Sequence, residues 1–177
     1  YSLISVVVGA RLGHCLFYEP EYYLNNILEI VLPMKQTADG WKFIGYQGLA
    51  SHGGTIALVI AMLWFARHYG RKYDFDFVWI MDHLAIAVCF AATFIRLGNL
   101  CNSEIYGDVT NLPWGFIFEL RGETEPKHPT QLYEALSYFL LGIFQILMYR
   151  YRLDKLYRGF FIGTFFIGCF GMRFLIE

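Results

Sequence analysis

Long apolar runs, separated by short polar stretches, set the pattern of the chain. Residues 2–18 are apolar apart from Arg11 and His14, with Gly9, Ala10 and Gly13 between them. A second run, 48–66, opens on Ser51-His52-Gly53-Gly54 and continues without a charge. A third, 77–97, is broken only by Asp82 and His83; a fourth covers 131–149 and a fifth 159–177. Each is roughly 17–21 residues, the length of helix that crosses a hydrocarbon layer of about 30 Å. The pattern predicts an all-α fold, a polytopic transmembrane helix bundle with five spans, forming one integral membrane domain over 1–177. No repeat of 20–50 residues stands out.

The polar stretches give this bundle an orientation. Residues 67–72 (Arg-His-Tyr-Gly-Arg-Lys) and the group Arg150, Arg152, Lys155 and Arg158 form two short basic loops, after the second and fourth runs. Short Lys/Arg-rich loops stay in the cytoplasm. The segments 19–47 and 98–130 then fall on the opposite side of the membrane, which the family resemblance given below makes the periplasmic side. In 19–47 a short interfacial helix is expected, with Tyr22, Tyr23 and Trp41 at headgroup level and a turn at Asp39-Gly40. Gly159, Gly163, Gly168 and Gly171 predict a small-residue packing face on the last span. The chain begins and ends inside apolar runs, without an initiator Met, and reads as a piece cut at both ends.

Composition narrows the class. The chain is 56% hydrophobic and 16% charged, whereas soluble domains are nearer 45–50% and about 25%. A net charge of −1 gives no electrostatic case for nucleic acid. Cys15, Cys89, Cys101 and Cys169 are widely spaced and read as small apolar fillers. No metal-ligand spacing such as H-x-x-x-H or H-E-x-x-H occurs, so neither a metal nor another cofactor is expected. No G-x-S-x-G or Ser/Lys pair points to a serine hydrolase.

The candidate chemistry lies in polar side chains placed against hydrocarbon. Arg11, Arg96 and Arg173 sit inside or at the edges of spans, where each costs about 2.5–3.5 kcal/mol on a lone helix. Two readings stay open. One is internal ion pairing with Asp82, Glu104, Glu134 and Glu177; Arg173 and Glu177 are four apart and share a helix face. The other is an anion pocket, since a guanidinium presents a planar fork that matches a phosphate. Arg96 and Asn99, three apart, point the same way if the helix reaches that far. His52 stands where Ser51 would cap a helix start, an end that favours anions, and histidine takes up a proton near neutral pH. His14 and His83 read as helix–helix hydrogen bonders, and His68 as an exposed loop residue. His128-Pro129-Thr130-Gln131-Leu132-Tyr133-Glu134 reads as helix entry with Thr130 as the cap, with Tyr133 and Glu134 close to the polar face.

Taken together, Gly9-Ala10-Arg11-Leu12-Gly13, His52-Gly53-Gly54, Arg96-Leu97-Gly98-Asn99-x-x-Asn102-x-Glu104-x-x-Gly107, His128 to Glu134, and Arg173 to Glu177 resemble, in order, the phosphatidylglycerol–prolipoprotein diacylglyceryl transferases. The resemblance implies a seven-helix bacterial inner-membrane enzyme, of which five spans are present here. It also implies transfer of a diacylglyceryl group from phosphatidylglycerol to the lipobox cysteine thiol of a prolipoprotein, with release of glycerol 1-phosphate and formation of a thioether. Such a reaction needs a base for a thiol of pKa about 8.5 and cations for the departing phosphate. By position, Arg96 and Arg173 would hold the phosphate and His52 would be the base. Asn99, Asn102 and Glu104 would orient the glycerol headgroup or the arginines, with Gly107, Arg11, Tyr133 and Glu177 as further members of the substrate site. The chain departs from the family pattern at Cys169, at His14 and in Asp82-His83-Leu84-Ala85-Ile86, which lacks a proline. From other classes, a non-catalytic anionic-lipid transporter would use the same arginines, but inverted repeats or broken helices are not evident. A phospholipase-like hydrolase would use His52 and water.

Overall fold

The computed structural model describes residues 1–32, 34–37, 40–43 and 48–176. It is mainly helical and divides into two compact units, Tyr1–Phe77 and Val78–Glu177. Each is taken by itself.

In the first unit, α1 (Ser2–Phe17) packs on α4 (Ser51–Tyr73). Between them lie α2 (Pro20–Asn25), α3 (Leu28–Val31) and an antiparallel hairpin of β1 (Met34–Thr37) and β2 (Gly40–Phe43). The α1–α4 seam is made of glycine. A Cβ added at Gly13 would lie 2.8 Å from the Gly53 Cα, and one at Gly9 would run into the Ala57 side chain and the Gly53 carbonyl. Backbones that approach so closely need small residues on both helices. The Ala50 N–H donates to the Ala10 carbonyl at 2.9 Å and fixes where α4 enters the seam.

Three local expectations are corrected here. Ala50, not Ser51, is the residue before the helix, and no side chain caps it. The first basic "loop" is the end of α4, which runs on through Arg71 and Lys72 to Tyr73. Cations there sit at the negative end of the helix dipole, so the basic run extends the helix instead of ending it. Asp74, at φ 55, then turns the chain into the left-handed region. His68 is accordingly helical and stacks on Trp64 at 5.2 Å. The hairpin adds two short strands to the helical plan, with Thr37 opposite Gly40. The expected turn residue Asp39 lies outside the described residues.

In the second unit, α5 (Phe77–Cys101) leads into an irregular segment with a 3₁₀ turn at Glu119–Arg121. Then come α6 (Thr130–Arg152), a 3₁₀ turn at Leu153–Lys155, and α7 (Phe160–Ile176). Helix and turn therefore carry Arg150, Arg152 and Lys155, most of the second basic "loop". Buried polar groups bind these helices together. Gln145 is fully buried; its amide donates to the Phe161 carbonyl at 2.9 Å and to the Thr164 hydroxyl at 3.1 Å, while the Cys89 thiol lies 3.7 Å from its carbonyl. Asp82 is also buried. Its two oxygens accept the N–H groups of Gly159 (2.7 Å) and Ile162 (2.9 Å) and so cap α7, a helix start that attracts a carboxylate. His83 reaches Tyr149 at 3.3 Å, the interhelical contact expected of it. On α7, Gly168 meets Leu141, whereas Gly163 and Gly171 face open space.

The five longest helices stand where the five spans are expected. By length and apolarity, Phe77–Cys101 and Thr130–Lys155 qualify as membrane-crossing helices among the described residues, and Ser2–Phe17 and Phe160–Ile176 are shorter apolar helices. At 1.5 Å per residue, the 25 residues of α5 rise about 37 Å.

Candidate functional site

α5 continues one turn past the expected end of its span, to Cys101. That turn places Arg96 and Asn99 on one face, and both border a recess of about 370 Å³ whose other walls include Ala92, Ile95, Phe165 and Cys169. The Arg96 Nε lies 2.7 Å from Glu134 Oε2 on α6; Glu134 is only 1% exposed and Arg96 11%. The same oxygen accepts the Tyr138 hydroxyl at 2.8 Å. Of the four carboxylates open to Arg96 in the sequence, the structure selects Glu134. Gln131, Glu134 and Tyr138 fall at spacing i, i+3, i+7 on one stripe of α6, a polar face whose signal in the sequence is that spacing.

Below Arg96 the chain makes a tight, unusual turn. Ser103 and Ile105 both have positive φ, 53 and 56. Three successive carbonyls of the turn are held by side chains. Arg121 Nε donates to that of Ser103 (3.2 Å), Gln131 Nε2 to that of Glu104 (2.6 Å), and Thr130 Oγ1 to that of Ile105 (3.0 Å). Thr130 is thus the first residue of α6 with Pro129 as its cap position, and its hydroxyl clamps the turn instead of capping the helix. The other amide atom of Gln131, Oε1, is buried and has no partner among the described residues.

The Glu104 side chain reaches Arg121 at 3.4 Å, both being well exposed. Together with Ser103, Ile105 and Tyr106 they border a recess of about 490 Å³. A third, of about 470 Å³, includes Gly107, Asp108, His128, Tyr133 and Glu134. Gly107 is required where it stands: a Cβ there would lie 2.7 Å from the Thr130 methyl and 3.0 Å from the His128 Cβ. Tyr133 accepts from Trp114 Nε1 at 2.9 Å and lies 3.2 Å from His128 Nδ1. Outside the helices, Glu123 accepts from Tyr106 (2.7 Å) and Lys127 (2.8 Å). Those bonds, that to Lys127 first, hold the Glu123 carboxyl below its usual value and raise Lys127 and Tyr106.

The remaining candidates are placed as follows. Asn102 is exposed, and Arg173 is exposed on α7; Glu177 lies outside the described residues. Arg11 and His52 belong to the first unit. Arg11 is buried, donating to the carbonyls of Glu29 (2.6 Å), Ile30 (3.2 Å) and Gly48 (3.4 Å), and lies 5.0 Å from the Tyr23 ring centroid. It ties α1 to the segment that follows α2. His52 is exposed at the start of α4, edge-on to Phe17 at 5.4 Å. Among the described residues no group of three metal-ligating side chains forms.

Apolar helices joined by buried polar contacts, with an arginine–glutamate pair at the end of a membrane-length helix, define a helical membrane protein with a polar site against hydrocarbon. The chain belongs to the prolipoprotein diacylglyceryl transferase family, whose profile it matches over residues 1–177. It is 48% identical to the phosphatidylglycerol–prolipoprotein diacylglyceryl transferase of Bacteroides fragilis, 43% to that of Porphyromonas gingivalis and 39% to that of Chloroherpeton thalassium. All three matches cover 100% of this chain, but only 62%, 61% and 60% of those relatives. The chain therefore spans about three fifths of their length.

Proposed function

We propose that this chain carries part of a phosphatidylglycerol–prolipoprotein diacylglyceryl transferase. The observation that carries the reading is the Arg96–Glu134 pair, with Asn99 beside it in the recess at the end of α5, in a chain that belongs to this family throughout. In the reaction the lipobox thiol gives its proton to a base, with His52 as the candidate. The sulfur then forms a bond to the glyceryl carbon, and the carbon–oxygen bond to the phosphate breaks. Its electron pair leaves on glycerol 1-phosphate.

Arg96 presents its fork to the developing phosphate charge, and Arg173 is the second cation. Asn102 and Glu104 orient the headgroup, Gly107 keeps its approach open, and Tyr133 and Glu177 complete the site. Arg11 is a further member of the proposed substrate site. Glu134 already neutralises Arg96 in part, so phosphate recognition depends on directed donors more than on net charge. Phosphatidylglycerol, a prolipoprotein lipobox and the lipid bilayer are the partners.

Arg96→Lys tests the clamp, because a point charge cannot copy a planar fork. Thioether formation on a lipobox peptide is expected to fall by about 10²–10³; full transfer by this variant would end the clamp role. His52→Gln is expected to slow transfer while phosphatidylglycerol binding is kept; undiminished transfer by this variant would remove His52 as the base. Headgroup release without any thiol acceptor would favour a hydrolase. The site faces the periplasmic side of the inner membrane. In a Cys101→Ser background, Glu125→Cys is then labelled by an impermeant maleimide from the periplasm and Lys72→Cys is not.

A further inference from the structure

Ile105 is the one residue that borders all three recesses described above: that of Arg96 and Asn99, that of Glu104 and Arg121, and that of His128 and Tyr133. It is also in the wrong conformation for its type. At φ 56 a β-branched side chain is a genuine outlier, in a region that glycine or asparagine enters far more readily. Strain of this kind persists only where the surroundings over-determine it. They do so here, since the carbonyls of Ser103, Glu104 and Ile105 are each held by a side chain from outside the turn.

Packing does not explain the residue. Ile105 is 55% exposed, so little of its apolar surface is buried in return for the strain. A residue held at conformational cost, with its side chain left open where three recesses meet, is placed to touch something that enters them.

We propose that Ile105 is a specificity-determining contact for the diacylglyceryl part of a diacyl phospholipid, where the acyl chains meet the glyceryl unit, and that it separates the Arg96 recess from the His128 cleft. Gln131, Thr130 and Arg121 are its positioning residues. This rests on the transferase reading above. With the partition in place, the thiol sulfur reaches the glyceryl carbon while water is kept away from it. Without it, a water oxygen bonds to the same carbon, the carbon–oxygen bond to the phosphate breaks as before, and the water gives up a proton. The products are then diacylglycerol and glycerol 1-phosphate in place of the thioether.

The experiment reconstitutes the protein in phosphatidylglycerol vesicles with a lipobox peptide and measures thioether and diacylglycerol together. Ile105→Asn suits the left-handed backbone and Ile105→Ala does not, so the two separate strain from contact. Both are expected to lower kcat/KM for thioether formation by about tenfold or more, the scale of a lost apolar contact, and to raise the diacylglycerol share. Ile105→Leu restores most of the coupling lost in Ile105→Ala. Ile105→Asn also melts at or above the temperature of Ile105→Ala. Wild-type kcat/KM and product ratio in the Asn and Ala variants overturn the partition. If either variant fails to fold, a Gln131→Leu variant with wild-type coupling overturns it equally. A wild-type protein that makes no thioether under any condition would instead remove the transferase reading.

Discussion

At the scale of single residues, Arg96 and Glu134 can be separated experimentally into a stability role and a chemical one. Glu134→Leu leaves a nearly buried guanidinium without its partner, a loss worth about 3–5 kcal/mol. Adding Arg96→Met removes the stranded charge, so the double variant recovers most of that stability while transfer stays lost. Denaturant unfolding in micelles checks the first outcome and thioether assays the second; equal stability of all three proteins would mean that the pair costs and gains nothing. The shared face of Arg96 and Asn99 was legible from their spacing alone, given a helix long enough. The partner was not, because four carboxylates stood at plausible distances along the chain and only the packing of α6 on α5 chooses between them. Ile105 was invisible in sequence, since nothing local marks an isoleucine as left-handed.

At the scale of elements, the α1–α4 seam has no room for a methyl group. Gly53→Ala would place a Cβ against the Gly9 carbonyl and within 2.8 Å of the Gly13 Cα, both backbone atoms that cannot rotate away. Overpacking of this kind costs about 1–3 kcal/mol, seen as a lower melting temperature, with a smaller loss at Gly163→Ala, where the space is open. The five long helices were readable because each apolar run is the length of a membrane crossing. Their ends were not, because basic residues look like loop and yet belong at a helix C-terminus. The hairpin was missed for a related reason: strands of four residues each are too short for a pattern to show.

At the scale of the whole molecule, pH acts on the segment between α5 and α6 through Tyr106, Glu123 and Lys127. The folded carboxyl of Glu123 lies below its usual 4.5. Its stabilising effect is complete above that value and is lost as pH falls through the folded one. Lys127 and Tyr106 are raised from 10.5 and 10.0. Their contributions are complete below those values and are lost as pH rises through the folded ones. Amide exchange over 102–129 is therefore expected to quicken, beyond its intrinsic pH dependence, below about pH 4 and again in strong alkali. Glu123→Gln should abolish the acid limb; an unchanged limb in that variant would place the acid sensitivity elsewhere.

The cap that Asp82 places on α7 joins residues 77 positions apart, and it has a consequence for biogenesis. Translation delivers α5 first, so its carboxylate is in the growing chain before the N–H groups it will accept exist. At about 5–20 residues per second the delay is roughly 4–15 s, during which a carboxylate near the start of α5, costly to leave in hydrocarbon, has no α7 to receive it. A nascent chain arrested before Gly159 should therefore hold α5 in the translocon or near its water-filled channel, and release it sideways into lipid only once the α7 start has emerged.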